Sequence, residues 1–318
     1  MKIFKKVVLT FFALLVLSSV GGYIYFNVKF TPPSNYLKLT KSSTTIPITW
    51  ISDKSSSIAA LLLPIKFEGI PNKFYMQFDL GAPSTLFYKT SLKSIHAKYP
   101  NQVSKIDSAT LSVNQSFFLG EMKISSETFR VFDRGNPIDW NDNEAINIIG
   151  TIGADLIEKK ITMIDFKNDL CYFGETMPKL GYRPKLYDFT FSKRKVLFPV
   201  ILNGKACKLL YDTGTSGFEL ITDKSTWQKM TKKGAIPTSY DVNSWGNTLT
   251  TYNIKSDRVI DFGMIAIKLD QVTYIEGATF AQNILMRLTG MGGMIGNKLF
   301  IDKILILDCK NEKYVVLN

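Results

Sequence analysis

The chain holds one histidine in 318 residues. That scarcity removes much of the catalytic repertoire. A metal site with several imidazole ligands cannot be built, and a Ser-His or Cys-His mechanism has only His96 to run through. Three cysteines exclude a disulfide-rich scaffold. Cys171, Cys207 and Cys309 allow at most one pair, which the sequence does not choose. All three lie in apolar, strand-like surroundings, where a buried free thiol is expected for at least one. Acidic residues are also in the minority, 27 Asp plus Glu against 39 Lys plus Arg. The lysines are spread along the chain, and the densest cluster beyond the N-terminus is Lys193-Arg194-Lys195. This pattern reads as a solvated basic surface, suited to lying near anionic lipid, and not as a nucleic-acid site. A hydrophobic content of 45% argues against disorder. The 22 Phe, 14 Tyr and 21 Gly suit a β-rich protein with many tight turns.

Lys2, Lys5 and Lys6 precede an uncharged apolar stretch from Val7 to Phe26. Twenty helical residues span about 30 Å, the thickness of a bilayer's hydrocarbon core. The basic flank sets the N-terminus in the cytoplasm and the body outside. Residues 1–28 are therefore read as a transmembrane signal-anchor. The alternative is a signal peptide whose cleavage releases a secreted body. Residues 29–57, rich in Ser, Thr and Pro, read as a stalk or linker, with Ile46 to Ile51 able to form a strand.

The most informative feature is a duplication. Ile152 to Asn168 and Ile295 to Asn311 match at eight of seventeen positions, all at an offset of 143. The same offset pairs Leu119–Ile124 with Phe262–Ile267. Upstream, an apolar strand runs into Asp79-Leu80-Gly81 in the first copy and into Asp212-Thr213-Gly214 in the second. Two copies of so long a unit mean two related lobes, 58–180 and 181–318, and not a solenoid. Strands are expected at 61–67, 74–78, 110–113, 121–124, 128–132 and 161–166. In the second copy they are expected at 196–202, 207–211, 248–254, 264–269, 271–275 and 304–309. Short helices are expected at 155–159 and 298–302.

An Asp at a strand end followed by Gly puts a carboxylate at the tip of a tight turn. Two such turns from related lobes can face each other across a cleft. Their carboxyls then share one proton, because two like charges about 3 Å apart cannot both ionise. One acts as base on a water and the other polarises a carbonyl. No cofactor or metal is required. Asp165 and Asp308, which also repeat, sit in Asp-x-Lys-Asn contexts and read as turn residues. His96 reads as a surface residue.

These residues resemble the pepsin-like, two-lobed aspartic peptidases. Tyr211-Asp212-Thr213-Gly214-Thr215-Ser216-Gly217 matches that family's second signature fully. Ile148-Ile149-Gly150 and Gly293-Met294-Ile295-Gly296 resemble its hydrophobic-hydrophobic-Gly element. The resemblance spans about residues 58–318 and implies an all-β fold with a cleft between lobes, catalytic Asp79 and Asp212, and loop support from Gly81, Thr213, Gly214 and Thr215. It implies a monomer acting on peptide or protein substrates. In the family a Thr follows each Asp and braces the loops across the lobes; Leu80 leaves that brace one-sided. The family's Ser or Thr three residues after Asp bonds the carboxylate. Ala82 lacks it, so Asp79 is expected to hold the proton and Asp212 to be the base. No Tyr-Gly flap is evident; Tyr99 and the 101–108 stretch are the nearest candidates. An inactive relative that binds peptides or partner proteins is the alternative to an endopeptidase.

Overall fold

A computed structural model describes residues 22, 28, 31–53, 56–244, 247–276 and 291–318. The anchor expectation for Val7–Phe26 lies outside these residues. Among the described residues no helix is long and apolar enough to cross a membrane. Strands account for 45% of the described residues and helices for 10%, so the all-β class stands. Residues 35–318 form one compact unit.

The duplication is visible in strand pairing. Phe74–Phe78 runs parallel to Ile148–Ile152, and Lys205–Tyr211 runs parallel to Met291–Ile295. Each pair slips register at the equivalent place, after Tyr75 and after Lys208. Leu86–Tyr88 lies antiparallel to Ile148–Ile152 and parallel to Met122–Phe132. Ile221–Thr222 repeats this between Met291–Ile295 and Gln271–Glu276. The repeated Gly120 and Gly263 both turn hairpins with positive φ, 58° and 80°, a conformation that favours glycine.

A third sheet of six strands joins the halves. Its order is 187–188, 313–317, 304–308, 161–165, 170–174 and 43–47. At its centre Ile161–Asp165 pairs antiparallel with Ile304–Asp308, and Met163 lies opposite Ile306. These two residues are equivalents at the offset of 143, so the pairing is centred on the internal symmetry axis.

The stalk reading of 29–57 is corrected by this sheet. Ser43–Pro47 is its edge strand, paired with Leu170–Gly174, and Thr49–Ile51 pairs with Ala60–Leu62. Thr44 and Ile46 are buried while Ser43, Thr45 and Pro47 are exposed, the period of two that a half-buried strand requires. Most expected strands are found within a residue or two. The expected strands at 121–124 and 128–132 are one strand, Met122–Phe132, and 110–113 is the start of Ser112–Leu119. The expected helix at 298–302 is a 3₁₀ turn over Asn297–Phe300, and 155–159 is a run of turns. The helix Lys89–Lys98, not expected, packs Leu92 and Ile95 inward. It carries His96, whose Nδ1 pairs with the Val103 carbonyl at 2.7 Å. The three cysteines are free, Cys171 and Cys309 buried and Cys207 half-buried.

Candidate active site

The two Asp-x-Gly turns are built alike. Each follows the central strand of its half, and its Asp amide donates to the equivalent carbonyl: Asp79 to Ile152 at 3.0 Å, Asp212 to Ile295 at 3.0 Å. Each turn closes back on the Asp carbonyl, from Ala82 at 3.2 Å and from Thr215 at 3.1 Å. Each glycine amide donates to its own Asp Oδ1 at 2.8 Å. The repeated glycines that follow explain themselves by contact. A Cβ on Gly153 would lie 2.5 Å from the Ser84 backbone, and one on Gly296 would lie 2.0 Å from the Thr215 carbonyl. A Cβ on Gly150 or Gly293 would lie 2.3 or 2.4 Å from the carbonyl of Leu86 or Ile221. The counterpart of Ile148-Ile149-Gly150 is thus Met291-Gly292-Gly293; Gly293–Gly296 matches Gly150–Gly153.

The turns meet tip to tip. Gly81 N donates to Asp212 Oδ1 at 3.0 Å as well as to Asp79. A Cβ on Gly81 would lie 2.5 Å from Asp212 Oδ2, and one on Gly214 would lie 2.5 Å from Asp79 Oδ1. Glycine is required here by close approach. Thr213 supplies the brace: its hydroxyl donates to the Phe78 carbonyl at 2.7 Å and accepts from Leu80 N at 2.9 Å. Leu80 is buried and offers no hydroxyl in return, so the brace is one-sided.

Both carboxyls are nearly removed from water, at 6% and 9% exposure for Asp79 and Asp212. Burial, the charge of Asp212 and a hydrogen bond given to Asp212 push Asp79 well above the usual carboxylate range. Burial also raises Asp212, and bonds from Gly214, Asp79 and Gly81 offset only part of that rise. The direction agrees with a proton held on Asp79. The expected cause does not. Thr215 Oγ1 donates to the Asp212 carbonyl at 2.9 Å, not to its carboxylate, so Ala82 costs the first turn no carboxylate bond of that kind. Ala82 N donates to Asp79 Oδ1 at 3.2 Å.

No protein-family model and no curated protein matches the chain. The site is therefore read from its own geometry.

That geometry includes residues the sequence reading missed. Arg194, in the basic run read as solvated, is 4% exposed. Its guanidinium donates to the Pro83 carbonyl at 2.9 Å, to Ser84 Oγ at 3.2 Å and to Glu158 Oε2 at 3.1 Å. Arg194 comes from the second half and supports the back of the Asp79 turn. Ser84 Oγ is engaged there by the guanidinium. Deeper in the same turn, Thr85 gives both its amide and its hydroxyl to Asp155, each at 2.7 Å. Arg194→Ala takes the charge partner from Glu158, which keeps its bond from Asn35 Nδ2 at 2.9 Å, and removes the guanidinium donor from Pro83 O and Ser84 Oγ. A loss of about 3 kcal/mol in a denaturation experiment is expected, with Arg194→Lys recovering only part because it lacks the fork.

Tyr88 stands beside the dyad. Its hydroxyl pairs with Thr151 Oγ1 at 2.9 Å, and burial, with a smaller effect from the charge of Asp79, disfavours its ionisation. Tyr99, considered for a flap, packs on Trp140 at 5.8 Å between ring centroids and donates to Asn72 Oδ1 at 3.4 Å. Asp165 and Asp308 cap turns as expected: each Oδ1 accepts from the amides two and three residues on, and each Oδ2 accepts from Asn168 or Asn311 Nδ2.

Proposed function

We propose that the chain is an aspartic endopeptidase of pepsin-like, two-lobed design. One observation carries the reading: two duplicated turns present Asp79 and Asp212 tip to tip, each glycine packed against the opposite carboxyl and both carboxyls accepting from the Gly81 amide. A water between the carboxyls gives a proton to ionised Asp212 as it attacks a peptide carbonyl. Protonated Asp79 hydrogen-bonds the carbonyl oxygen and stabilises the negative charge that develops there. Collapse of the tetrahedral intermediate returns a proton to the leaving amine. The lysine-flanked apolar N-terminus adds to the reading a body tethered outside the cytoplasm, facing peptide or protein substrates there.

A second reading is a peptide-binding relative that does not cut. Leu80 favours it, because a one-sided brace holds the carboxyls less firmly. The full chain, presented with a peptide library from about pH 3 to 7, separates the two. Cleavage on the acid side, fading as the shared proton is lost, supports the peptidase. Folded protein that cleaves nothing across that range leaves only the binder.

The dyad also marks the pH dependence of stability. Asp79 has a folded pKa above its unfolded value, so the folded chain keeps a proton that the unfolded chain releases. That stabilisation is complete below the unfolded value and is lost as pH rises through the folded one. Asp79→Asn keeps a donor toward Asp212 and removes the titration. Its melting temperature is expected to exceed that of the parent at pH 7 and to approach it near pH 4. Equal differences at both pH values would contradict a raised Asp79.

A further inference from the structure

Beside the Asp79 turn lies a pocket of about 300 Å³. Its walls are Ala82, Pro83, Ser84, Leu86, Arg130 and Phe132, and it shares Gly81 with the dyad. Strand alternation decides which side chains reach it. Leu86 pairs with Arg130, Phe87 with Val131 and Tyr88 with Phe132. Phe87 and Val131 point into the core, at 0% and 4% exposure. Leu86, Arg130 and Phe132 therefore share the opposite face, the one that lines the pocket.

We infer that this pocket is a specificity site for an acidic substrate side chain, with Arg130 as the residue that selects it. The inference rests on the peptidase-fold reading of the same site. A pocket of this volume sits at the small end for ligands and suits one side chain. Ala82, Pro83, Leu86 and Phe132 offer apolar contact to a methylene stem. Arg130 lies 5.3 Å from the Phe132 ring centroid, a stacking that orients the guanidinium plane and leaves its N–H edge for a carboxylate. Arg130 is exposed and has no ion pair among the described residues. The acidic groups nearby are otherwise engaged. Asp133 pairs with Lys89 at 2.9 Å, and Asp107 accepts from Thr110 and Ala109. Arg134, at the end of the same strand, lies close enough to Tyr88 to favour its ionised form and adds positive potential on this side of the dyad. Because Gly81 belongs both to the pocket and to the dyad, the selected residue adjoins the bond that is cut.

The test is equilibrium binding of peptides in which a hydroxyethylene group replaces the scissile amide. The peptides are identical except for Glu, Gln or Lys at each of the two residues flanking that group. The full chain is expected to bind a Glu peptide at least about tenfold more tightly than its Gln counterpart, the worth of a charge-assisted hydrogen bond. The ratio should fall to about one in Arg130→Ala and turn in favour of Lys in Arg130→Glu. Glu and Gln peptides binding alike, or a Glu preference that survives Arg130→Ala, would overturn the pocket assignment while cleavage by the parent protein kept the peptidase reading. A Glu preference dependent on Arg130, in a protein that cuts no parent peptide, would uphold the pocket and sink the peptidase. Failure of every peptide to bind would overturn both.

Discussion

Asp212→Asn is expected to reduce kcat/KM on the best library peptide by about 10³–10⁴-fold. The reason lies in what each carboxyl is asked to do. In the proposed mechanism Asp212 must be ionised to take a proton from water. Burial raises its pKa, and its bonds from Gly214, Asp79 and Gly81 counter part of that rise. An amide has nearly the same shape and can still accept from Gly214 N and Gly81 N. It cannot take the proton. The fold should survive, because the substitution removes a buried negative charge and keeps both amide bonds. A residual rate within tenfold of the parent, from protein free of contaminating peptidase, would end the dyad mechanism. Asp79→Asn should be equally damaging by a different route, since it fixes a donor that must also shed its proton later in the cycle. The two changes together should cost little more than either alone, because the residues act as a unit.

Gly81→Ala is expected to lower activity by about a hundredfold or more without unfolding the chain. The new Cβ would sit 2.5 Å from Asp212 Oδ2, so the carboxylate or the turn must move by about 1 Å. Misplacements of about that size cost roughly 10²-fold. Gly214→Ala does the same to Asp79 by the mirror contact, also at 2.5 Å. The stability cost should be modest, about 1–3 kcal/mol for a local overpacking. Gly120→Ala is a useful contrast: it strains a hairpin at positive φ far from the dyad in sequence and should lower stability with little change in kcat. Parent-like kcat in both Gly81→Ala and Gly214→Ala would mean that the facing turns are not where the chemistry occurs.

Much of this was legible in the sequence because the duplication repeats glycines that cannot be replaced. Gly153 and Gly296 recur because a backbone lies against each, and Asp165 and Asp308 recur because each caps the same turn. Strands with strong β-branched and aromatic content, such as Phe74–Phe78 and Ile304–Asp308, were also readable. The missed elements share a different character. Ser43–Pro47 hid its alternation behind Ser, Thr and Pro, whose composition suggests a linker. Lys89–Lys98 is rich in Lys, Ser and Thr and buries only a narrow stripe, so its helical period is faint. Arg194 sits in a basic run that looks solvated, and only the tertiary fold brings Pro83 and Glu158 to it. Tyr88 and Arg130 reach the site through strand pairing across about forty residues, which no local pattern reports.

The central pairing of Ile161–Asp165 with Ile304–Asp308 has a consequence for assembly. Because Met163 and Ile306 are equivalents placed opposite each other, the edge that each half offers is the edge that each half accepts. If the halves part, the exposed strand of one molecule meets a register-matched partner on the next. Refolding at high concentration should therefore yield domain-swapped dimers in which both dyads are reassembled from different chains, and those dimers should keep whatever activity the monomer has.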